Sequence, residues 1–187
     1  MKFKSPIFFS LLVLTLFSFS CSHSGKPDVN SMTEAEVNLE LSSFPSIGFG
    51  ILLQLPEIHP SDAIFEQAKN FEQEKVSNKY MFRNEKPDVQ KSIAEHAAEY
   101  EHAYYDSLPE QLKQEKKQLR DAYINFNKQC EKVKPTLPPR GQALIDRKIS
   151  FMKSHMKKQL SKYDYVLAHL DTIIREAKKK ARKSASK

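Results

Sequence analysis

The sequence predicts an all-α protein, a small bundle of about four amphipathic helices with a long C-terminal helix and a disordered N-terminal segment. Three observations carry this. From Pro60 onward apolar residues recur at three- and four-residue spacings, the period of a helix buried along one face. Prolines open these stretches at Pro87, Pro109 and Pro139, where a first helical turn tolerates a missing N–H. Only four glycines occur in 187 residues, which leaves little material for loop-built sheets or sites.

The first twenty residues read as a signal peptide. Lys2 and Lys4 form a charged start, and Ile7 to Phe19 is apolar with small hydroxyl residues interspersed. That run is shorter than the roughly 20 residues a membrane span needs and matches a leader's core. Ser18 and Ser20 put small residues three and one before Cys21, so cleavage is expected between Ser20 and Cys21, with Ser22 or Ser24 as later alternatives. A Cys at this position also fits bacterial lipoprotein attachment by acylation of Cys21, although Ser18 stands where that signal prefers Leu. The mature protein is therefore expected to be secreted, or, if acylated, membrane-anchored.

Residues 21–46 are Ser-, Asn- and Glu-rich and read as a flexible segment. Ile47 to Leu55 is a compact apolar run, either a short strand or a helical turn packed on helices. Within the helical domain, 47–174, the first helix runs from about Ser61 to Lys79, with Ile64, Phe65, Ala68, Phe71 and Val76 as its stripe. A second starts at Pro87, carries Val89, Ile93, Ala97, Tyr100 and Tyr104, and ends near Asp106. Ser107-Leu-Pro-Glu110 then has the pattern of a capping box that opens a third helix. That helix, Pro109 to about Lys134, carries Leu112, Lys116, Leu119, Tyr123, Phe126, Cys130 and Val133 on one seam.

The fourth helix begins near Pro139 and presents Ile145, Ile149, Met152, Met156, Leu160, Tyr163, Leu167, Leu170 and Ile174. With no Pro or Gly after Gly141 it is expected to run some forty residues, about 60 Å at the helical rise, longer than its neighbours can cover. It therefore bends near Ser161 or packs its far end on another chain. Residues 175–187 form a basic tail, seven Lys and Arg against Glu176, read as a solvated helix end whose cations complement the helix dipole. Such a run also suits an anionic membrane surface; nucleic acid is not an expected partner for a secreted chain.

Catalytic and metal signatures are sparse. Glu99 and His102 make half of a di-iron Glu-x-x-His pattern whose second half is missing. No two of the six His are spaced i, i+4, and no phosphate loop or nucleophile elbow occurs. No cofactor and no enzyme activity are expected. Two cysteines, Cys21 and Cys130, make no disulfide framework, although a bond between them is possible if Cys21 survives maturation. Tyr100, Tyr104, Tyr123, Phe126, Met152 and Met156 would face inward if the helices pack together, and Met-rich apolar sites are adaptable. These six are the candidate hydrophobic-ligand residues.

At KPDVQKSIAEHAAEY (Lys86–Tyr100) and LPPRGQALIDRKISFM (Leu137–Met152), the chain resembles the SXP/RAL family of secreted nematode antigens. The resemblance covers roughly residues 47–160 and rests on helix architecture. It implies a small helical secreted protein, cation- or ligand-binding in some members and host-recognised in many. His96 stands where that family often has Trp. The chain is also similar to the nematode fatty-acid and retinol binding family in its Leu-x-Pro step between two amphipathic helices. Neither resemblance transfers a ligand residue. The expected function is a non-catalytic, antigen-like binding protein for a small hydrophobic ligand, with cation binding or a tethered interaction module as alternatives. Mass spectrometry of the native mature protein should show Cys21 as its first residue; an added acyl mass would make it a tethered lipoprotein.

Overall fold

The computed structural model describes residues 27–54 and 57–185. The expected leader, its cleavage between Ser20 and Cys21, and any acylation or disulfide of Cys21 lie outside the described residues. Six α-helices follow in order: α1 (Glu34–Leu41), α2 (Phe49–Leu52), α3 (Pro60–Met81), α4 (Pro87–Val133), α5 (Pro139–Ala168) and α6 (Leu170–Ala185). Among the described residues there is no strand.

The architecture is a long antiparallel hairpin of α4 against α5, extended by α6. Tyr163 Oη donates to Glu115 at 3.1 Å, Lys116 pairs with Asp164, and Lys134 Nζ reaches Asp146 at 2.6 Å near the turn. Prolines 135, 138 and 139 make that turn, with Pro139 at the first position of α5. At the open end α3 lies alongside in the same direction as α5–α6, since Ile58 is bonded to Gln159 and Glu72 to Arg182. At the turn end α1 and α2 cover the hairpin. Two cores result. One joins Ile64, Ala68 and Phe71 with Leu108, Leu112, Val166 and Ile173; the other joins Val37, Leu41 and Ile51 with Phe126, Leu144 and Ile145.

Several expectations are corrected. The second and third predicted helices are one continuous 47-residue helix, about 70 Å long, with Pro109 inside it. The capping box at Ser107 is absent, because Ser107 Oγ donates to Tyr104 O at 2.8 Å and accepts from Gln111 at 2.7 Å, both bonds of a helix interior. Pro109 removes one N–H, but Leu108 and Leu112 on either side of it are buried, and two such side chains contribute ~1.5–3 kcal/mol each, enough to offset the lost bond. The register also moves. The seam from Leu112 to Cys130, continued backward, buries Leu108, Tyr105 and Glu101. Val89, Tyr100 and the rest of the predicted stripe lie one residue round the helix and are only partly covered.

Within the predicted flexible segment 21–46, Glu34–Leu41 form α1, and its Val37 and Leu41 are fully buried. A capping box that is present in the sequence holds its start: Glu36 Oε2 accepts from Thr33 N at 2.7 Å, and Glu36 N donates to Thr33 Oγ1 at 3.4 Å. Arg140 grips Glu40 with both arms of its guanidinium, one at 2.8 Å. The run 47–55 contains a helical turn, α2, that buries Ile51.

The fourth predicted helix breaks at His169, not near Ser161. His169 Nδ1 lies 2.8 Å from Tyr165 O, the carbonyl that also accepts from His169 N, so the side chain competes with the helix for one acceptor. Beyond the break α6 packs on α3 of the same chain. The basic tail is likewise part of the fold, since Ala177 and Ala181 are buried and Lys178 and Arg182 are paired.

Cys130 is fully buried, and burial first, then Glu131, pushes its thiol up to about 11 against the opposing pull of Lys148. Lys148 is itself wholly buried. Its Nζ donates to Glu34 Oε1 at 2.6 Å and to Leu53 O at 3.1 Å, joining α5 to both α1 and the end of α2. Lys148→Met should leave Glu34 and Leu53 O without their donor and destabilise the protein by ~1–3 kcal/mol in urea titration, with amide exchange accelerating first across residues 34–53.

Candidate functional site

Between the last turns of α3 and the first turns of α4 lies a cleft of about 400 Å³, within the size range of small-molecule sites. Its walls are two facing helical stripes. Lys75, Asn78, Lys79 and Phe82 come from α3, and Gln90, Ile93, Ala94 and Ala97 from α4, both at the i, i+3, i+4, i+7 spacing of one helix face. The space exists because α4 places Ala94 and Ala97 where a filled helix–helix seam would carry larger side chains. Phe82 and Ile93 supply apolar surface, while Asn78, Lys79 and Gln90 put polar ends at the rim. Gln90 Nε2 also donates to Glu85 O at 2.8 Å and to Arg83 O at 3.3 Å, which pins the turn between the helices.

Further along the same seam lies an aromatic group. The Phe71 ring meets Tyr100, Tyr104 and Tyr105 edge-on at centroid distances of 6.0, 5.5 and 5.9 Å. Beside it is the buried carboxylate Glu101. It accepts from Lys75 Nζ at 2.6 Å and Lys178 Nζ at 3.0 Å, while Glu72 takes Lys75 at 2.9 Å and Arg182 at 3.6 Å. Burial alone would raise the Glu101 carboxyl; the two ammonium groups outweigh it and hold it below the usual carboxylate range. Lys75 is thus committed to the protein, which leaves Lys79 as the cation on the cleft rim. Lys178 also sits over the Tyr105 ring at 4.3 Å, and burial, then Glu101, pushes the Tyr105 phenol up to about 12.

The six residues expected to line one ligand site do not come together: Tyr104 packs on one core, Tyr123, Phe126 and Met152 belong to the other, and Tyr100 and Met156 are in neither. Tyr100, more than half exposed, and half-buried Tyr104 surround Phe71 near the cleft. The Tyr123 and Phe126 rings stack at 6.5 Å. Tyr104 and Tyr123 are nineteen residues apart on one helix, about 28 Å, so no single small ligand touches both groups. Met156 is half-buried on the stretch of α5 between them. Of the cleft residues only Ile93 and Ala97 stood in a predicted apolar stripe; the others are mostly Lys, Asn and Gln, which read as a solvated face although their three–four spacing is legible. Glu99 and His102 lie on the exposed side, facing His96 and Asp106 along the helix, and among the described residues no group of three ligand side chains could hold a metal.

Set against family models, curated proteins and solved structures, the chain matches none of them.

Glu101 and Glu57 both have folded-state acidities strengthened by lysines; hydrogen bonds from Lys162 and then Lys158 hold Glu57 down to about 2. A carboxyl lowered in this way stabilises the fold above its unfolded value near 4.5, and the contribution is lost as pH falls toward the folded value. The urea midpoint should therefore drop on acidification below about pH 5. Glu101→Gln should be less stable at neutral pH by ~1–3 kcal/mol and flatter across the acid range than the wild type.

Proposed function

We propose that the chain is a non-catalytic helical binding protein, directed to the secretory pathway by residues 1–20, whose α3–α4 cleft takes a small apolar ligand with an anionic end. The observation that carries this is the cleft itself: apolar walls from Phe82, Ile93, Ala94 and Ala97, with Lys79 at the rim and no fill between them. An apolar ligand gains from leaving water in proportion to the area it buries. A carboxylate or phosphate at one end would meet Lys79 and the side-chain amide of Asn78, which fixes its direction. The resemblance of residues 47–160 to SXP/RAL antigens implies the same broad class, a small secreted ligand binder.

A dansyl-labelled undecanoic acid should brighten and shift to the blue on mixing with the protein, and unlabelled fatty acid should reverse the change. Ala97→Phe, which fills the cleft, should abolish the response. Lys79→Gln should weaken binding roughly tenfold, the value of one charged hydrogen bond. A probe unaffected by the wild-type protein, or bound equally by Ala97→Phe, would overturn the reading.

A further inference from the structure

We propose that Lys178 and Arg182 of α6, neither of which lines the α3–α4 cleft, give the cleft its preference for an anionic ligand. This rests on the ligand reading and adds what decides the ligand's charge. The cleft wall carries a cation, Lys75, but two carboxylates hold it from behind. Lys75 Nζ donates to Glu101 at 2.6 Å and to Glu72 at 2.9 Å. By themselves these three side chains leave an excess of one negative charge beside the cleft, which works against a carboxylate drawn in by Lys79.

Helix α6 reverses that sign. Ala177 and Ala181 belong to its buried stripe, and the residue after each, Lys178 and Arg182, lies on the edge of the stripe that meets the α3–α4 seam. Lys178 Nζ is 3.0 Å from Glu101 Oε1, and Arg182 Nε is 3.6 Å from Glu72 Oε1. The result is one alternating row, Arg182–Glu72–Lys75–Glu101–Lys178, in which each carboxylate lies between two cations. With both ends in place the row has an excess of one positive charge, and the cation at its centre is the one that lines the cleft. The exposed pair Lys91 and Glu95, 3.7 Å apart on α4 near the cleft, cancels and adds no preference.

The two ends of the row do not count equally. Arg182 is 67% exposed and well screened by water and salt, whereas Lys178 is 34% exposed, pairs with a buried carboxylate and is held over the Tyr105 ring at 4.3 Å. Lys178 therefore contributes more. Both act through the carboxylates and not by touching the ligand, so they are residues that set specificity from outside the cleft.

The dansyl-labelled undecanoic acid and its uncharged primary amide separate charge from fit. The wild-type chain should bind the acid more tightly than the amide, by a margin that narrows in high salt. Lys178→Gln should weaken the acid roughly threefold, the effect of one unit charge about 10 Å away under partial screening, and leave the amide unchanged. Arg182→Gln should do the same more weakly, and Lys178→Arg should keep the acid at wild-type affinity. Glu101→Gln should move the other way, binding the acid more tightly although its fold is less stable, a combination that loss of structure does not produce. Acid binding that Lys178→Gln leaves unchanged, or that falls in step with the amide, would overturn the proposal, as would a Glu101→Gln protein that binds the acid more weakly. A wild type that takes both probes alike would overturn it while leaving the apolar cleft in place; one that takes neither would overturn the ligand reading itself.

Discussion

Helix α4 passes through Pro109 without stopping, and most of the molecule is arranged around that continuity. A break there would have let the two halves of the helix choose their buried faces independently. Because the helix is continuous, the Leu112–Cys130 seam dictates which residues face inward thirty residues away, and the inward position one turn before Tyr105 is Glu101. A carboxylate in that place is tolerable only if cations reach it, since burying an unpaired charge costs far more than any one apolar contact contributes. Lys75 of α3 and Lys178 of α6 are those cations. The position of two other helices is thereby tied to the register of the first.

The same device recurs along the hairpin. Among the described residues three polar side chains are buried, Glu101, Lys148 and Gln159, and each bonds to an element outside the α4–α5 pair. Lys148 takes Glu34 of α1 and the carbonyl at the end of α2. Gln159 accepts from Ile58 N, and Lys162 and Lys158 take Glu57, so the approach to α3 is fastened to the middle of α5. A buried polar group accepts few partners, whereas an apolar stripe accepts many, so these contacts select one arrangement of the smaller helices among several that would bury similar area. The aliphatic seams supply most of the driving force, and the polar positions supply the order.

The cleft follows from where this order stops. Past Glu101, toward the start of α4, the buried seam has no third helix to close it, and Ala94 and Ala97 face α3 without filling the space. The last turn of α3, which leads into the link between the two helices there, carries the exposed Tyr80 and Met81. One end of the rod is thus compact, covered by α1 and α2, and the other is open and partly apolar.

The helical class, the boundaries at Pro60, Pro87 and Pro139, and the seam from Leu112 to Val133 were all legible in the sequence, because they rest on local periodicity and on proline's missing donor. The Thr33–Glu36 capping box was legible as well, although the polar composition around it suggested a flexible segment. What the tertiary structure alone decided were the features in which a long-range partner outweighs a local signal. Pro109 and Ser107 spell a helix start, yet packing on α5 carries the helix through them. His169 interrupts a run with no Pro or Gly, because its ring finds the Tyr165 carbonyl and α6 finds α3. Lys148, Gln159 and Glu101 look like solvated positions until the groups that satisfy them arrive from a hundred or so residues away in two cases, and from α3 and α6 in the third. The six aromatic and Met residues read as one site were separated for a simpler reason: helical periodicity tells which face a residue is on, and only the packing of whole helices tells how far along the rod its neighbours lie.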